Sequence, residues 1–200
     1  MKDQLPHRAG RRLLHTRQIT CTGYLRDDGL IELEGRLLDT KPSDLVDVYR
    51  IVRAGEPLHQ MRVVMVVDKE FVIRKISALT EAAPTPECPG IASAYAALEG
   101  LRIGPGFTRQ VKARMGGAQG CTHLTELLGP MATTLYQSGM PLQVEAMRQR
   151  AIAEPGYEPP KPFVIGACHA YRVDGEPARR LQEQWGDWRR QVIAGAPEAE

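Results

Sequence analysis

The stretch that organises the chain is residues 116–128, which read GGAQGCTHLTELL. A glycine-rich turn here precedes Cys121, and Thr122 is a residue type that commonly caps the N-terminus of a helix. Apolar side chains then recur at helical spacing on one side of the segment that follows: Leu124, Leu127, Leu128, Met131 and Leu135. The pattern predicts a helix that begins beside Cys121 and packs one face against a core.

Cys121 stands where a thiol is most easily ionised. The start of a helix carries unpaired N–H groups and the positive end of the dipole, and both stabilise the thiolate, which binds metals and acts as a nucleophile. The glycines before it leave room around the sulfur. The stretch therefore predicts a thiolate site without identifying its reaction.

Composition and charge restrict the class of protein. The chain has 200 residues, 42% of them hydrophobic, and a formal net charge of +2. We expect an arm at residues 1–16, one α+β domain at 17–175 and a helical extension at 176–200. Scattered arginines give no argument for nucleic acid, and no apolar run approaches the ~20 residues that span a membrane.

The first residues contain arginines but no apolar segment with a cleavage site, so the sequence predicts a cytoplasmic protein. Its four cysteines should then be reduced, and cysteines in that setting suggest metal binding or catalysis more than disulfides. Core packing is the alternative for each, and it is favoured for Cys21, which shares a strand face with Ile19. Homo-oligomerisation is left open.

The first third of the chain predicts two β-hairpins. Residues 18–25 form a strand, Asp27-Asp28-Gly29 a turn, and apolar residues alternate with charged ones from Ile31, until residues 39–42 end the strand. Residues 62–67 and 71–76 form the second hairpin, whereas 44–53 is ambiguous between strand and helix. With helices following, the fold class is α+β: an antiparallel sheet with helices on one face.

Helices dominate the remainder. One begins at Cys88-Pro89 and ends at Gly100, and another opens at 104–106. The Cys121 helix should be kinked or stopped near Gly129-Pro130, with a new helix from Pro141. Residues 163–173 are predicted to be a strand. The tail has Leu181, Trp185 and Trp188 at helical spacing.

Seven short segments carry a resemblance to a known family. They are LHTR at 14–17, RDDGL at 26–30, DTK at 39–41, GEPLHQM at 55–61, GLRIG at 100–104, CTHL at 121–124 and CH at 168–169. With these, the chain resembles an uncharacterised bacterial family, a domain of unknown function whose hallmark is Gly-Cys-Thr-His-Leu-x-Glu-Leu-Leu. The resemblance implies no established activity, only an association with the catabolism of aromatic or acyl-thioester compounds.

A more distant resemblance covers roughly residues 61–137. A sheet followed by CPGIASA at 88–94 and CTHL at 121–124 is similar in order and spacing to the U-type iron–sulfur cluster scaffold. The scaffold's middle cysteine has no counterpart, because residues 101–120 contain none. The resemblance implies a scaffold-like fold, with Cys168 or the adjacent His169 as the candidate for a further ligand.

Thiolates and imidazoles together suit zinc or iron, or an iron–sulfur cluster. The predicted metal ligands are Cys88, Cys121, Cys168 and His123. A metal-free thiolate and plain packing are the alternatives. For His15 and His59, a hydrogen-bonded structural role is as well supported as a catalytic one.

Three functions compete. The first is a metal-dependent enzyme, a hydrolase or lyase for a small aromatic acid or acyl thioester, with Cys121, His123 and His59 as its catalytic residues. In that reading Arg17, Arg26 and Lys41 are predicted to bind the anionic substrate. The second is an iron–sulfur cluster scaffold or carrier. The third is a metal-free hydrolase that uses Cys121 as its nucleophile.

Overall fold

The computed structural model describes residues 10–154, 156–158, 160 and 162–194. The strands are β1 (Thr16–Leu25), β2 (Ile31–Thr40), β3 (Leu45–Val46), β4 (Ile51–Val52), β5 (Pro57–Val67) and β6 (Ile73–Ala82). The α-helices are α1 (Phe107–Met115), α2 (Thr122–Ala153) and α3 (Glu176–Ala194). Two 3₁₀ helices, Cys88–Leu98 and Gly117–Gln119, precede α1 and α2 respectively.

A four-stranded antiparallel sheet in the order β1-β2-β5-β6 forms the base of the fold. Both predicted hairpins are confirmed, and so is the α+β class. The turn between β1 and β2 contains Gly29 at φ 78°, a left-handed conformation that glycine adopts without steric cost. The ambiguous segment 44–53 forms a small separate hairpin, β3–β4.

The core of the first compact unit lies between this sheet and the 3₁₀ helix Cys88–Leu98, α1 and the first part of α2. Alternate residues of β2 are buried, including Leu33 and Leu37, and they pack in one cluster with the apolar side of α2 that the sequence predicts. The helix passes close over β2 at Gly35, where an added Cβ would lie 2.6 Å from the Met131 sulfur and 3.7 Å from the Leu127 Cβ. This close packing fixes where the start of α2 meets the sheet.

Two secondary-structure predictions are wrong. The helix α2 runs from Thr122 to Ala153, so it neither stops at Gly129-Pro130 nor begins again at Pro141. Its apolar side continues past the proline at Met131 and Leu135, both fully buried, and this packing outweighs one lost backbone hydrogen bond. Residues 163–173 form successive turns instead of a strand, closed by local bonds such as Ile165 N–H to the Pro162 carbonyl.

The chain divides into two compact units, one ending at Gly139 and the other beginning at Met140. Within the second unit, Trp185 and Trp188 of α3 stack with ring centroids 5.5 Å apart. The predicted extension from residue 176 coincides with the start of α3, while most of the predicted N-terminal arm lies outside the described residues. The single domain at 17–175 stays a prediction. Among the described helices, none has the length and apolarity to cross a membrane.

Candidate functional site

A row of three polar residues crosses the sheet at the end nearest the start of α2. Arg17 on β1 is directly opposite Asp39 on β2, which is directly opposite His59 on β5. Asp39 follows Leu33 and Leu37 in the alternation of β2, so its side chain points to the same covered face and is fully buried. Strand register alone therefore brings an acid, a cation and an imidazole together.

The Asp39 carboxylate accepts hydrogen bonds from three side chains. Arg17 binds it in a bidentate manner, with Nε 2.8 Å from Oδ1 and Nη2 2.7 Å from Oδ2. His15 Nε2 lies 3.1 Å from Oδ1, and His59 Nδ1 lies 2.9 Å from Oδ2. The other side of the Arg17 guanidinium pairs with Glu126 in the first turns of α2. The carboxylate is thus held rigidly despite its burial.

These contacts settle the protonation of Asp39. Burial acts to raise the pKa of its carboxyl, but the hydrogen bonds and charge of Arg17, with donation from His15 and His59, lower that pKa to about 2. An ionised carboxylate can only accept hydrogen bonds. His59 Nδ1 therefore carries the proton in this state, which leaves the lone pair of a neutral ring on Nε2.

A second imidazole lies against the first. The rings of His59 and His123 stack with centroids 3.8 Å apart and planes 28° apart, and His123 Nε2 lies 4.0 Å from Asp39 Oδ2. Burial lowers the pKa of His59, with a further contribution from His123. Burial and the charge of Arg17 likewise lower the pKa of His123. Both rings are therefore neutral at neutral pH, the form in which imidazole binds metals.

Asp39, His59 and His123, here called the Asp39 group, have the donor atoms of a metal site. Of the acidic, histidine and cysteine side chains that the structure describes, these form the one group of three or more whose ligand atoms all lie within 4.8 Å of one another. A tetrahedral ion with bonds of ~2.0–2.1 Å needs ligand atoms about 3.3 Å apart. The separations of 2.9 Å and 4.0 Å from Asp39 Oδ2 to the two ring nitrogens lie on either side of that value.

Cys121 lies at the edge of this group, at the position that the sequence predicts. Its carbonyl accepts the first helical hydrogen bond of α2, from Thr125 N–H at 2.9 Å. Its sulfur is 3.9 Å from His123 Nδ1 and 4.0 Å from the sulfur of Met61. A thiol, an imidazole and a carboxylate thus follow one another through Cys121, His123 and Asp39, at separations longer than hydrogen bonds.

A buried tyrosine fixes the backbone at Cys121. The Tyr95 hydroxyl accepts a hydrogen bond from Cys121 N–H at 3.1 Å and donates one to the Cys121 carbonyl at 2.8 Å. It also contacts the Thr125 hydroxyl at 2.7 Å. Tyr95 is wholly buried in the 3₁₀ helix Cys88–Leu98, so this contact ties that helix to the start of α2.

Other predicted ligands lie elsewhere. The sulfur of Cys88 contacts the Thr85 hydroxyl at 3.2 Å, and Cys88 is not part of the Asp39 group. Cys168 and His169 belong to the second compact unit, in its turn segment. All four cysteines are free thiols. Cys21 packs against the core, as the strand pattern favours.

The three residues predicted to bind an anionic substrate do not come together in the structure. Arg17 is at the site, but two carboxylates already neutralise its charge. Arg26 pairs with Asp28 and Glu32 at the far end of β1, about 30 Å from Arg17 at ~3.3 Å per residue. Lys41 directly follows β2, where its carbonyl accepts a hydrogen bond from Gly55 N–H.

Comparison with known proteins gives one family and no function. The sequence model of a family described as "Protein of unknown function (DUF2889)" matches residues 15–137, which include every member of the Asp39 group and Cys121. No curated protein and no solved structure gives a significant match.

Proposed function

The chain belongs to the DUF2889 family, a family of unknown function, and from its site we propose that it is a metal-dependent enzyme that acts on a small organic acid or acyl thioester. One observation carries the proposal: two neutral imidazoles and one ionised carboxylate converge within 4.8 Å of one another. Two histidines and a carboxylate form a donor set of catalytic zinc sites and of non-haem iron sites.

The proposed ligands are Asp39, His59 and His123. Three protein ligands leave at least one position on zinc or iron for water or substrate, which is the arrangement of catalytic sites. An ion on His59 Nδ1 would displace the proton that this atom now donates to Asp39, and that proton would move to Nε2 of the same ring, so the neutral ring would bind the ion without net proton release. Arg17 and His15 would hold the carboxylate in place from its other side.

This ligand set differs from the one that the sequence predicts. The sequence offers Cys88, Cys121, Cys168 and His123, and only His123 is common to the two sets. Since Cys121 lies 3.9 Å from His123, it is adjacent to the proposed ion and would contact a bound substrate or serve as a further ligand. An iron–sulfur scaffold, which depends on the cysteines, receives less support from this geometry.

The test is the metal stoichiometry of purified protein after equilibrium dialysis against zinc or, without oxygen, ferrous iron. We expect one ion per chain in the wild type and in His169→Ala, a matched control that removes an exposed histidine from the second unit. His59→Ala and His123→Ala should each bind at least tenfold more weakly. Equal binding by all four proteins would exclude this site.

A metal-free cysteine nucleophile is the second candidate, and the proximity of Cys121 to His123 favours it. In that reading His123 takes the thiol proton and Asp39 stabilises the imidazolium that forms. Its test is the rate of iodoacetamide alkylation of each thiol, followed by peptide mass spectrometry. Cys121 should react faster than the exposed Cys168, and His123→Ala should abolish the difference. If Cys121 of the metal-free wild type is alkylated no faster than Cys168, this candidate is eliminated.

A further inference from the structure

A second feature of the same sheet end is a pocket of about 370 Å³ between the β3–β4 hairpin and the segment that follows β6. Its polar lining comes from Tyr49 and Arg50 of the hairpin, from Thr80 and Glu81 of β6, and from Thr85. The apolar wall consists of two alanines and three prolines: Ala82, Ala83, Pro84, Pro86 and Pro89. The pocket is therefore a concavity with an apolar wall and several polar groups, a form that small-molecule sites take.

Arg50 is a fixed cation with an unused donor. Its Nη2 donates to the carbonyls of Pro57 and Leu58, at 2.9 Å and 3.3 Å, which holds the guanidinium still. Its Nε is buried and has no hydrogen-bond partner. Among the side chains that the structure describes, no carboxylate forms an ion pair with Arg50. The carboxylate of Glu81, which also lines the pocket, is engaged by Gln60 at 2.8 Å and by Arg62 at 3.8 Å.

Thr80 adds a second unused group to the pocket. Only 9% of Thr80 is exposed, and its hydroxyl has no hydrogen-bond partner. Buried polar groups in folded proteins are nearly always paired, and an unpaired one is costly. Two such groups that line one pocket, one of them on an arginine without a counter-charge, call for an acceptor that carries negative charge.

The pocket is connected to the Asp39 group through the strands. Thr80 lies directly opposite Met61 in the β5–β6 register, and the Met61 sulfur is 4.0 Å from the Cys121 sulfur. The carbonyls that hold Arg50 belong to the two residues immediately before His59. One residue therefore lies between pocket and site in each case: Met61 between Thr80 and Cys121, and Leu58 between Arg50 and His59.

We propose that this pocket binds the carboxylate of a small organic acid, which accepts hydrogen bonds from Arg50 Nε and the Thr80 hydroxyl while its apolar part lies against the prolines. A guanidinium suits the planar, two-oxygen geometry of a carboxylate. The identity of this ligand as the enzyme's substrate rests on the proposed function; the binding itself does not. Arg50 thereby takes the role of anion binding for which the sequence offers Arg17, Arg26 and Lys41.

Benzoate is the probe, and benzamide is its uncharged match. Isothermal titration calorimetry should show benzoate binding to the wild type at least tenfold more tightly than benzamide. Arg50→Gln and Thr80→Val should each weaken benzoate binding, the former by tenfold or more. The control is Arg53→Gln on the same hairpin, where the exposed arginine pairs with Asp44, and it should stay within twofold of the wild type.

Further variants separate the possible failures. Thermal midpoints establish that each variant folds, and Arg50→Lys, which keeps the charge, should retain more affinity than Arg50→Gln. His59→Ala should bind benzoate as the wild type does even though it loses the proposed metal. Benzoate binding without metal binding would sink the proposed function and leave the pocket intact. No benzoate binding, equal binding of benzamide, or no effect of Arg50→Gln would overturn the carboxylate pocket.

Discussion

The buried carboxylate of Asp39 makes the stability of the fold depend on pH, and Asp39→Asn should weaken that dependence. Burial acts to raise the pKa of Asp39, but Arg17 and the neighbouring histidines lower it from 3.8 to about 2. Between those values the unfolded state binds more protons than the folded state, so the free energy of unfolding falls as the pH is lowered through that window.

The magnitude follows from the pKa difference. A difference of ~1.8 at 1.36 kcal/mol per pKa unit gives an upper value of ~2.4 kcal/mol. Because 32% of the Arg17 side chain is exposed to screening by water, we expect about 1 to 2 kcal/mol. This stability is fully present above about pH 4 and is lost as the pH falls towards about 2.

The assay is urea unfolding followed by circular dichroism at successive pH values. His59 and His123 contribute a separate loss that begins as the pH falls below about 6.5, so the slopes are compared below about pH 4. Asp39→Asn should give a shallower dependence there; part of the slope that remains comes from Asp68, whose pKa is raised by burial but lowered overall by hydrogen bonds from Val72 N–H and Arg74. Asp28→Asn is the control, because it removes an exposed carboxyl that also pairs with an arginine, and it should change the slope much less than Asp39→Asn does. An unchanged slope in Asp39→Asn would refute the reasoning.

Three further predictions concern packing and metal uptake. Tyr95→Phe should lower the free energy of unfolding by about 1–3 kcal/mol, because it leaves buried groups at the start of α2 unpaired. The control Tyr24→Phe, at an exposed tyrosine, should have no effect. Equal urea midpoints for the two variants would contradict a stabilising role for the Tyr95 hydroxyl. Gly35→Ala should lower the free energy of unfolding by about 1–3 kcal/mol, since its Cβ would lie 2.6 Å from the Met131 sulfur. Its thermal midpoint should fall below that of the control Gly90→Ala, whose added Cβ meets no atom within 4 Å. An unchanged midpoint would show that α2 moves away from the sheet without cost. Zinc affinity measured by calorimetry should fall as the pH is lowered below about 6.5, because protons then compete with the ion for the two rings; an affinity that is equal at about pH 7 and about pH 5 would contradict binding by His59 and His123.

The sequence predicts the parts of the fold that local pattern controls. The Asp-Gly turn and the alternation after Ile31 specify the first hairpin, and the apolar spacing after Cys121 specifies the buried side of α2. The predictions fail where tertiary context decides. Pro130 lies inside a helix because buried residues follow it, and residues 163–173 have strand-like composition but close into turns through local hydrogen bonds.

The candidate site is only partly predictable for the same reason. Cys121, His123 and His59 are chemically conspicuous, and the structure brings all three to one end of the sheet. In the sequence Asp39 resembles a strand-ending residue. It nevertheless continues the alternation of Leu33 and Leu37, and this places it on the buried face. What no local pattern shows is the cross-strand register that aligns Asp39 with Arg17 and His59.

The electronic absorption spectrum of the cobalt-substituted protein tests the central claim most directly, because it reports both the number and the type of ligands. We expect the wild type to bind one cobalt ion in a site dominated by nitrogen and oxygen ligands. Its ligand-field bands should disappear in His59→Ala and persist in Cys121→Ser. An intense thiolate-to-cobalt charge-transfer band that survives in His59→Ala, or a spectrum identical to that of free cobalt, would contradict a metal site built on Asp39, His59 and His123.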